Sequence, residues 1–78
     1  MDEKVLRILI RRKLADGYLP FNGICTAKAG SKQVEQCAAC SEDIAPSQTV
    51  VEIADSKGRI VALHTDCFAI WNTEAAAA

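Results

Sequence analysis

The sequence predicts an α+β fold in which a β-hairpin lies between an N-terminal and a C-terminal helix. Three observations predict it: residues 3–15 lack glycine and proline, two β-branched segments flank a turn before residue 60, and helical composition returns after Thr65. At 78 residues we expect one domain over 1–78. A hydrophobic core in so short a chain rarely provides more than about 3 to 5 kcal/mol, so a further source of stability is expected.

The first element is predicted to be a helix over residues 3–16. The segment EKVLRILIRRKLA runs into Asp16-Gly17, and glycine after a helix readily adopts the left-handed conformation that ends it. Its apolar side chains occupy more than one narrow stripe, so any apolar surface left over after packing is available to another chain. The residues that we expect to pack inwards are Leu6, Ile10 and Leu14, or alternatively Val5 and Leu9.

Residues 17–36 are predicted to be a loop. They show no sustained hydrophobic period and are interrupted by Pro20, Asn22-Gly23 and Gly30. Several of their side chains are too apolar for a solvated linker, and we expect them to lie against the core. These residues are Tyr18, Leu19, Phe21 and Ile24.

The remaining elements are a hairpin and a helix within a core of residues 37–71. TVVEIA and RIVALH flank Asp55-Ser56-Lys57-Gly58, and such a four-residue connection ending in glycine suits a type I turn with a left-handed last residue. A helix is then expected from Thr65 or Asp66 onwards. The alanine-rich residues 72–78 are expected to fray.

Two pairs of residues at the same spacing carry the chemistry of this sequence. Cys37 and Cys40 are separated by two residues, as are His64 and Cys67, and in each pair the spacing lets both side chains face one ion. Three thiolates and one imidazole form a closed tetrahedral set that suits Zn²⁺ and leaves no position for water or substrate. The sequence therefore predicts one structural zinc ion per chain.

Other interpretations of the same residues are weaker. A redox Cys-x-x-Cys of thioredoxin type needs a βαβ context that this sequence lacks. A catalytic pair of Cys67 and His64 has no identifiable orienting partner, and plain packing does not explain two matched pairs. For Cys25 we expect a buried thiol, the alternatives being replacement of His64 as a ligand or a reactive thiol.

The N-terminus and the composition indicate the compartment. Arg11-Arg12-Lys13 stands where a signal peptide needs apolar residues, and no apolar run approaches the roughly 20 residues of a membrane span. We therefore expect a cytoplasmic protein without a membrane partner, in which thiols stay reduced and bind metal.

Net charge is −1, but the charge is unevenly distributed along the chain. Residues 1–32 contain seven Lys/Arg and three acids, whereas residues 33–78 contain two Lys/Arg and seven acids. This polarity fits a nucleic-acid contact, a solvated helix face or pairing between the two halves.

Two functions follow as hypotheses. The first is a non-enzymatic zinc module that mediates protein–protein interaction, with Tyr18, Phe21 and Trp71 as contacts if they are exposed rather than in the core. The second is a nucleic-acid-binding or transcription-regulatory zinc finger that uses the basic N-terminal helix, although the acidic second half opposes it. The basic residues concerned are Arg7, Arg11, Arg12 and Lys13.

The order Cys-x2-Cys, hairpin, His-x2-Cys at a helix start resembles the treble-clef zinc fold and the first finger of LIM domains over residues 37–71. The resemblance implies a zinc knuckle carrying Cys37 and Cys40, with His64 and Cys67 at the start of the last helix. Ser41 stands where many such knuckles have glycine. Without a second finger, the adaptor function of LIM domains is not expected.

The layout also resembles a group of short bacterial proteins with no assigned function. The shared features are a helix ending in a segment like LADGYLP, a CAAC motif followed by an acidic turn, and a finish like LHTDCFAIW. This resemblance implies the same fold and metal, and it implies no activity.

Overall fold

In the part of the chain that the structure describes, two helices and two antiparallel sheets make up the fold, which confirms the predicted α+β class. The computed structural model describes residues 2–29 and 35–77. A three-stranded sheet has the order β1-β4-β5, and β2 pairs with β3. Within this part of the chain no helix is long and apolar enough to cross a membrane. The elements are α1 (Glu3–Ala15), β1 (Ile24–Ala29), β2 (Glu35–Gln36), β3 (Asp43–Ile44), β4 (Thr49–Ala54), β5 (Ile60–His64) and α2 (Thr65–Ala77).

Helix α1 ends where the sequence predicts. Gly17 has φ 82°, and the backbone N–H of Tyr18 donates to the carbonyl oxygen of Lys13 at 2.9 Å, which satisfies a carbonyl at the helix end. Of the two alternative inward sets, the first is observed, since Leu6, Ile10 and Leu14 are all buried. Spaced four residues apart, they form one stripe that packs α1 against α2 and the core.

The hairpin of β4 and β5 is confirmed, with Cα partners running from Ala54–Ile60 to Val50–His64. Gly58 has φ 84° and closes the turn as predicted. An Asp55 carboxylate oxygen accepts hydrogen bonds from the backbone N–H groups of Lys57 and Arg59, both at 2.9 Å. An aspartate at the start of the turn therefore fixes its shape through its own side chain.

The prediction of a loop throughout residues 17–36 is wrong, because β1 lies within it and pairs antiparallel with β4 along its whole length. The side chains of residues 24–28 are exposed on both faces of the strand, so no alternation of apolar and polar residues marks it in the sequence. Gly23 leads into β1 at a point where a Cβ would lie 2.6 Å from the carbonyl oxygen of Ala54. Only glycine allows β1 to approach β4 so closely.

The expected burial of apolar residues before β1 is only partly right. Leu19 is 1% exposed and belongs to the core, as expected. Tyr18, Phe21 and Ile24 are 68%, 51% and 76% exposed, so the expectation that they lie against the core is wrong. Leu19 and Pro20 are buried, while Tyr18 and Phe21 on either side of them are exposed.

Helix α2 continues to Ala77, so the prediction that residues 72–78 fray is wrong for the part of that segment the structure describes. Alanine has the highest helix propensity, and Glu74 joins this end of α2 to α1. Glu74 is only 6% exposed and accepts from Arg7 Nη1 at 2.8 Å and Arg11 Nε at 2.9 Å. Both terminal helices are thereby held together by charge as well as by apolar packing.

Trp71 is 3% exposed, which places it in the core. Its indole N–H donates to the carbonyl oxygen of Pro20 at 2.7 Å, and its ring stacks on Phe68 with centroids 5.8 Å apart. The hypothesis that Trp71 is an exposed partner contact is therefore wrong. A buried indole needs one hydrogen-bond acceptor, and the segment after α1 supplies it.

We predict that Glu74→Gln lowers the free energy of unfolding at neutral pH. The hydrogen bonds from Arg11 and Arg7 lower the pKa of Glu74 below its ordinary value of 4.5, so the stabilisation is complete above that value and is lost as pH falls through the folded-state pKa. The difference in unfolding free energy between wild type and Glu74→Gln should stay constant from neutral pH down to about pH 5 and shrink at lower pH.

Chemical denaturation over this pH range measures the difference. The matched control is Glu3→Gln, which removes an exposed carboxylate 3.5 Å from the same Arg7. A Glu3→Gln effect as large as that of Glu74→Gln would contradict the assignment.

Candidate metal centre

The structure brings the four predicted metal-binding side chains together. One ligand atom from each of Cys37, Cys40, His64 and Cys67 lies within 4.8 Å of all the others. The first two residues lie in the turn between β2 and β3, His64 ends β5, and Cys67 lies in the first turn of α2. The two pairs thus approach one point from opposite sides.

The turn that carries Cys37 and Cys40 is closed by backbone hydrogen bonds. The N–H of Ser41 donates to the carbonyl oxygen of Cys37 at 2.9 Å, and the N–H of Cys37 donates to that of Glu42 at 2.9 Å. Ser41 has φ 64°, in the left-handed region that favours glycine. The serine noted in the sequence therefore adopts the conformation that glycine would take, at a cost of about 1 to 2 kcal/mol. We call residues 37–41 the knuckle.

The orientation of His64 is fixed by a backbone carbonyl. Its Nε2 lies 3.2 Å from the carbonyl oxygen of Asp43, which can only accept, so this contact suits a protonated Nε2 and leaves Nδ1 facing the cysteines. Nδ1 lies 3.4 Å from Cys40 Sγ and 3.9 Å from Cys67 Sγ. A tetrahedral zinc ion with ordinary bond lengths would place sulfur and nitrogen about 3.5 Å apart, so the donors fit Zn²⁺. The carbonyl contact is the kind that orients metal-bound histidines.

The three thiols differ in how readily they ionise. Burial raises the pKa of Cys37, but backbone hydrogen bonds involving Cys40 and His64 outweigh it and lower the pKa to about 7. Burial, with the nearby Cys37 sulfur, raises the pKa of Cys40, and burial followed by the Cys37 charge raises that of Cys67. One thiolate therefore opposes ionisation of the other two, and a divalent cation would remove this opposition.

Cys25 is exposed and stands apart from this cluster. The expectation that its thiol is buried is wrong, because β1 is exposed on both faces. Its suggested role in place of His64 is wrong as well, since His64 is within reach of two of the sulfurs and Cys25 is not in the group.

Three of the four basic residues of α1 that were predicted as contacts have partners within the molecule, although the Arg11 side chain is 64% exposed. Arg7 and Arg11 contact Glu74, and Lys13 Nζ donates to the carbonyl oxygen of Ala38 at 2.8 Å. Arg12 is exposed. No spacing in the sequence indicated that Lys13 reaches the knuckle, because the contact depends on how α1 packs.

No family model matches the sequence, and neither a curated protein nor a solved structure matches it significantly. The likeness to treble-clef fingers and to short bacterial proteins therefore stays a prediction. The chemistry of this site rests on its own geometry.

We predict that zinc binds His64 through Nδ1 while Nε2 keeps its proton. With ¹⁵N-labelled imidazole, adding zinc should shift the Nδ1 resonance and leave Nε2 protonated, because the Asp43 carbonyl already holds that proton. A spectrum in which Nε2 loses its proton on zinc addition would contradict the assignment. Labelled wild-type protein is enough, since His64 is the one histidine in the sequence.

Proposed function

We propose that this chain is a non-enzymatic, structural zinc-binding module of treble-clef-like build, with one Zn²⁺ bound by Cys37, Cys40, His64 and Cys67. The observation that carries the proposal is the compact set of three sulfurs and one imidazole nitrogen. This donor set suits zinc, and four protein ligands leave no position for water or substrate. The order of knuckle, hairpin and helix supports the same fold type.

The metal supplies stability that so small a chain needs. The knuckle and the start of α2 are joined at the cluster, so an ion bound there links residues that are far apart in sequence. In such small domains the free energy of metal binding contributes directly to folding. The zinc ion thereby holds the hairpin between knuckle and helix.

The role of the module is to present a surface to a protein partner. Tyr18 and Phe21 are largely exposed beside α1. Ile24 in β1 and Ile60 in β5 are 76% and 62% exposed, and they are the two cross-strand partners of Ala54 in β4. Such a concentration of exposed apolar side chains on a small protein supports an interaction surface. Engagement of Arg7, Arg11 and Lys13 within the molecule weighs against nucleic acid as the partner.

We predict that protein purified without chelator contains one zinc ion per chain and unfolds when the ion is removed. Cys67→Ser should lose the metal and most of the folded signal, because the remaining donors no longer complete a tetrahedral set. Elemental analysis and circular dichroism measure both quantities. The matched control is Cys25→Ser, an exposed thiol outside the cluster, which should keep zinc and fold. A metal-free wild type with an intact fold would disprove the proposal.

We predict that Tyr18→Ser with Phe21→Ser abolishes capture of the protein partner without changing zinc content. Both side chains are exposed, so their loss should cost the fold little. In vivo cross-linking followed by mass spectrometry measures capture of the partner. The matched control is a variant that carries both Val5→Ser and Ile8→Ser, which removes two exposed apolar residues from α1. Equal cross-linking by both variants would contradict the assignment of Tyr18 and Phe21 to the partner-binding surface. Salt-dependent binding of labelled nucleic acid would favour the nucleic-acid-binding hypothesis.

A further inference from the structure

Lys13 connects the N-terminal helix to the knuckle. We propose that Lys13 is a positioning residue for the metal centre: through it, docked α1 holds the knuckle in its metal-binding conformation, so that zinc binding and docking of α1 strengthen each other. The inference rests on the proposed zinc function and adds a coupling between the metal and a helix that carries none of its ligands.

The ammonium group of Lys13 contacts two points of the knuckle. Nζ donates to the carbonyl oxygen of Ala38 at 2.8 Å and to the hydroxyl oxygen of Ser41 at 2.9 Å. These two residues lie on either side of Cys40 in the chain. A single side chain thus bridges the turn across one metal-binding cysteine, and hydrogen bonds from a charged donor are stronger than neutral ones.

One of the two points is the residue with the least favourable backbone conformation in the knuckle. Ser41 has φ 64°, and its carbonyl oxygen accepts from Gln36 Nε2 at 3.0 Å. A serine adopts the left-handed region at a cost that glycine does not have. Lys13 on the hydroxyl and Gln36 on the carbonyl therefore offset the strain of closing the turn.

Lys13 also carries the charge that the site requires. Three thiolates around a divalent ion leave one net negative charge, and the ammonium group is bound directly to the turn that carries two of those sulfurs. Among the ion pairs of the part of the chain that the structure describes, none involves Lys13. Its charge is therefore directed to the knuckle rather than to a carboxylate.

The position of Lys13 depends on the docking of α1. Leu14, the next residue, is 4% exposed in the core, and Arg59 Nη1 donates to the carbonyl oxygen of Gly17 at 3.0 Å, which joins the segment after α1 to the residue before β5. By thermodynamic linkage, the factor by which docked α1 raises zinc affinity equals the factor by which zinc favours docking of α1.

Zinc affinity of the full chain, measured by competition with a chromophoric chelator, tests the inference. Lys13→Met should weaken zinc binding about tenfold, since two hydrogen bonds and one charge are lost. Lys13→Arg should recover part of the affinity. The matched control is Arg12→Met, an exposed neighbour on the same helix, which should bind zinc like wild type.

A second variant separates positioning from loss of helix packing. Ser41→Gly should raise zinc affinity more in Lys13→Met than in wild type, where Lys13 already offsets the strain, whereas a defect in α1 packing would leave the two gains equal. Hydrogen exchange should show stronger zinc-induced protection of α1 amides in wild type than in Lys13→Met. If wild type and Lys13→Met each bind one zinc ion with equal affinity, the inference about Lys13 is overturned and the proposed function is not. If wild type binds no zinc, the proposed function is overturned as well.

Discussion

Three cysteine sulfurs and an imidazole nitrogen lie within 4.8 Å of one another. Repulsion between thiolates this close constrains the rest of the structure. Burial raises the pKa of Cys37, but backbone hydrogen bonds outweigh it and lower the pKa to about 7, whereas burial and then the Cys37 charge raise the pKa of Cys67. Protein groups alone do not balance a second and third thiolate in a buried site. A divalent cation bound there would do so, and it would cross-link the segments that carry the four residues.

The elements around the cluster each hold one part of it. The carbonyl of Asp43 in β3 orients His64, while the hairpin brings that histidine to the start of α2 and Cys67. Helix α1 contributes no ligand, but it contacts the knuckle through Lys13 and α2 through Glu74. It therefore contacts both of the segments that a metal bound at the cluster would connect.

The sequence predicts those parts of the molecule that depend on neighbouring residues. Helix α1 ends at a glycine, the hairpin turn is determined by Asp55 and Gly58, and the spacing of each ligand pair matches what a turn or a helix start requires. Strand β1 could not be predicted in this way, since its order comes from hydrogen bonding to β4 and its own side chains are all solvated from Ile24 to Lys28.

The parts of the site that the sequence does not predict all depend on packing between distant segments. The hydrogen bond from Trp71 to the carbonyl oxygen of Pro20 joins residues far apart in the sequence, and the contact of Lys13 with the knuckle depends on the rotation of α1 about its axis. The exposure of Cys25 follows from the placement of β1 at the edge of its sheet. A list of residue types at given spacings holds no information about these contacts.

The uneven distribution of charge along the chain has its explanation in the folded molecule. Arg7 and Arg11 from the basic first part bind Glu74 from the acidic second part, and Lys28 binds Glu52 across β1 and β4 at 2.9 Å. Of the readings that the sequence left open, pairing between the two halves is the one these contacts support. Basic groups used in this way are less available to nucleic acid. The apolar surface around Tyr18 and Phe21 is left without such internal partners, and that is the surface which the proposed function assigns to a protein.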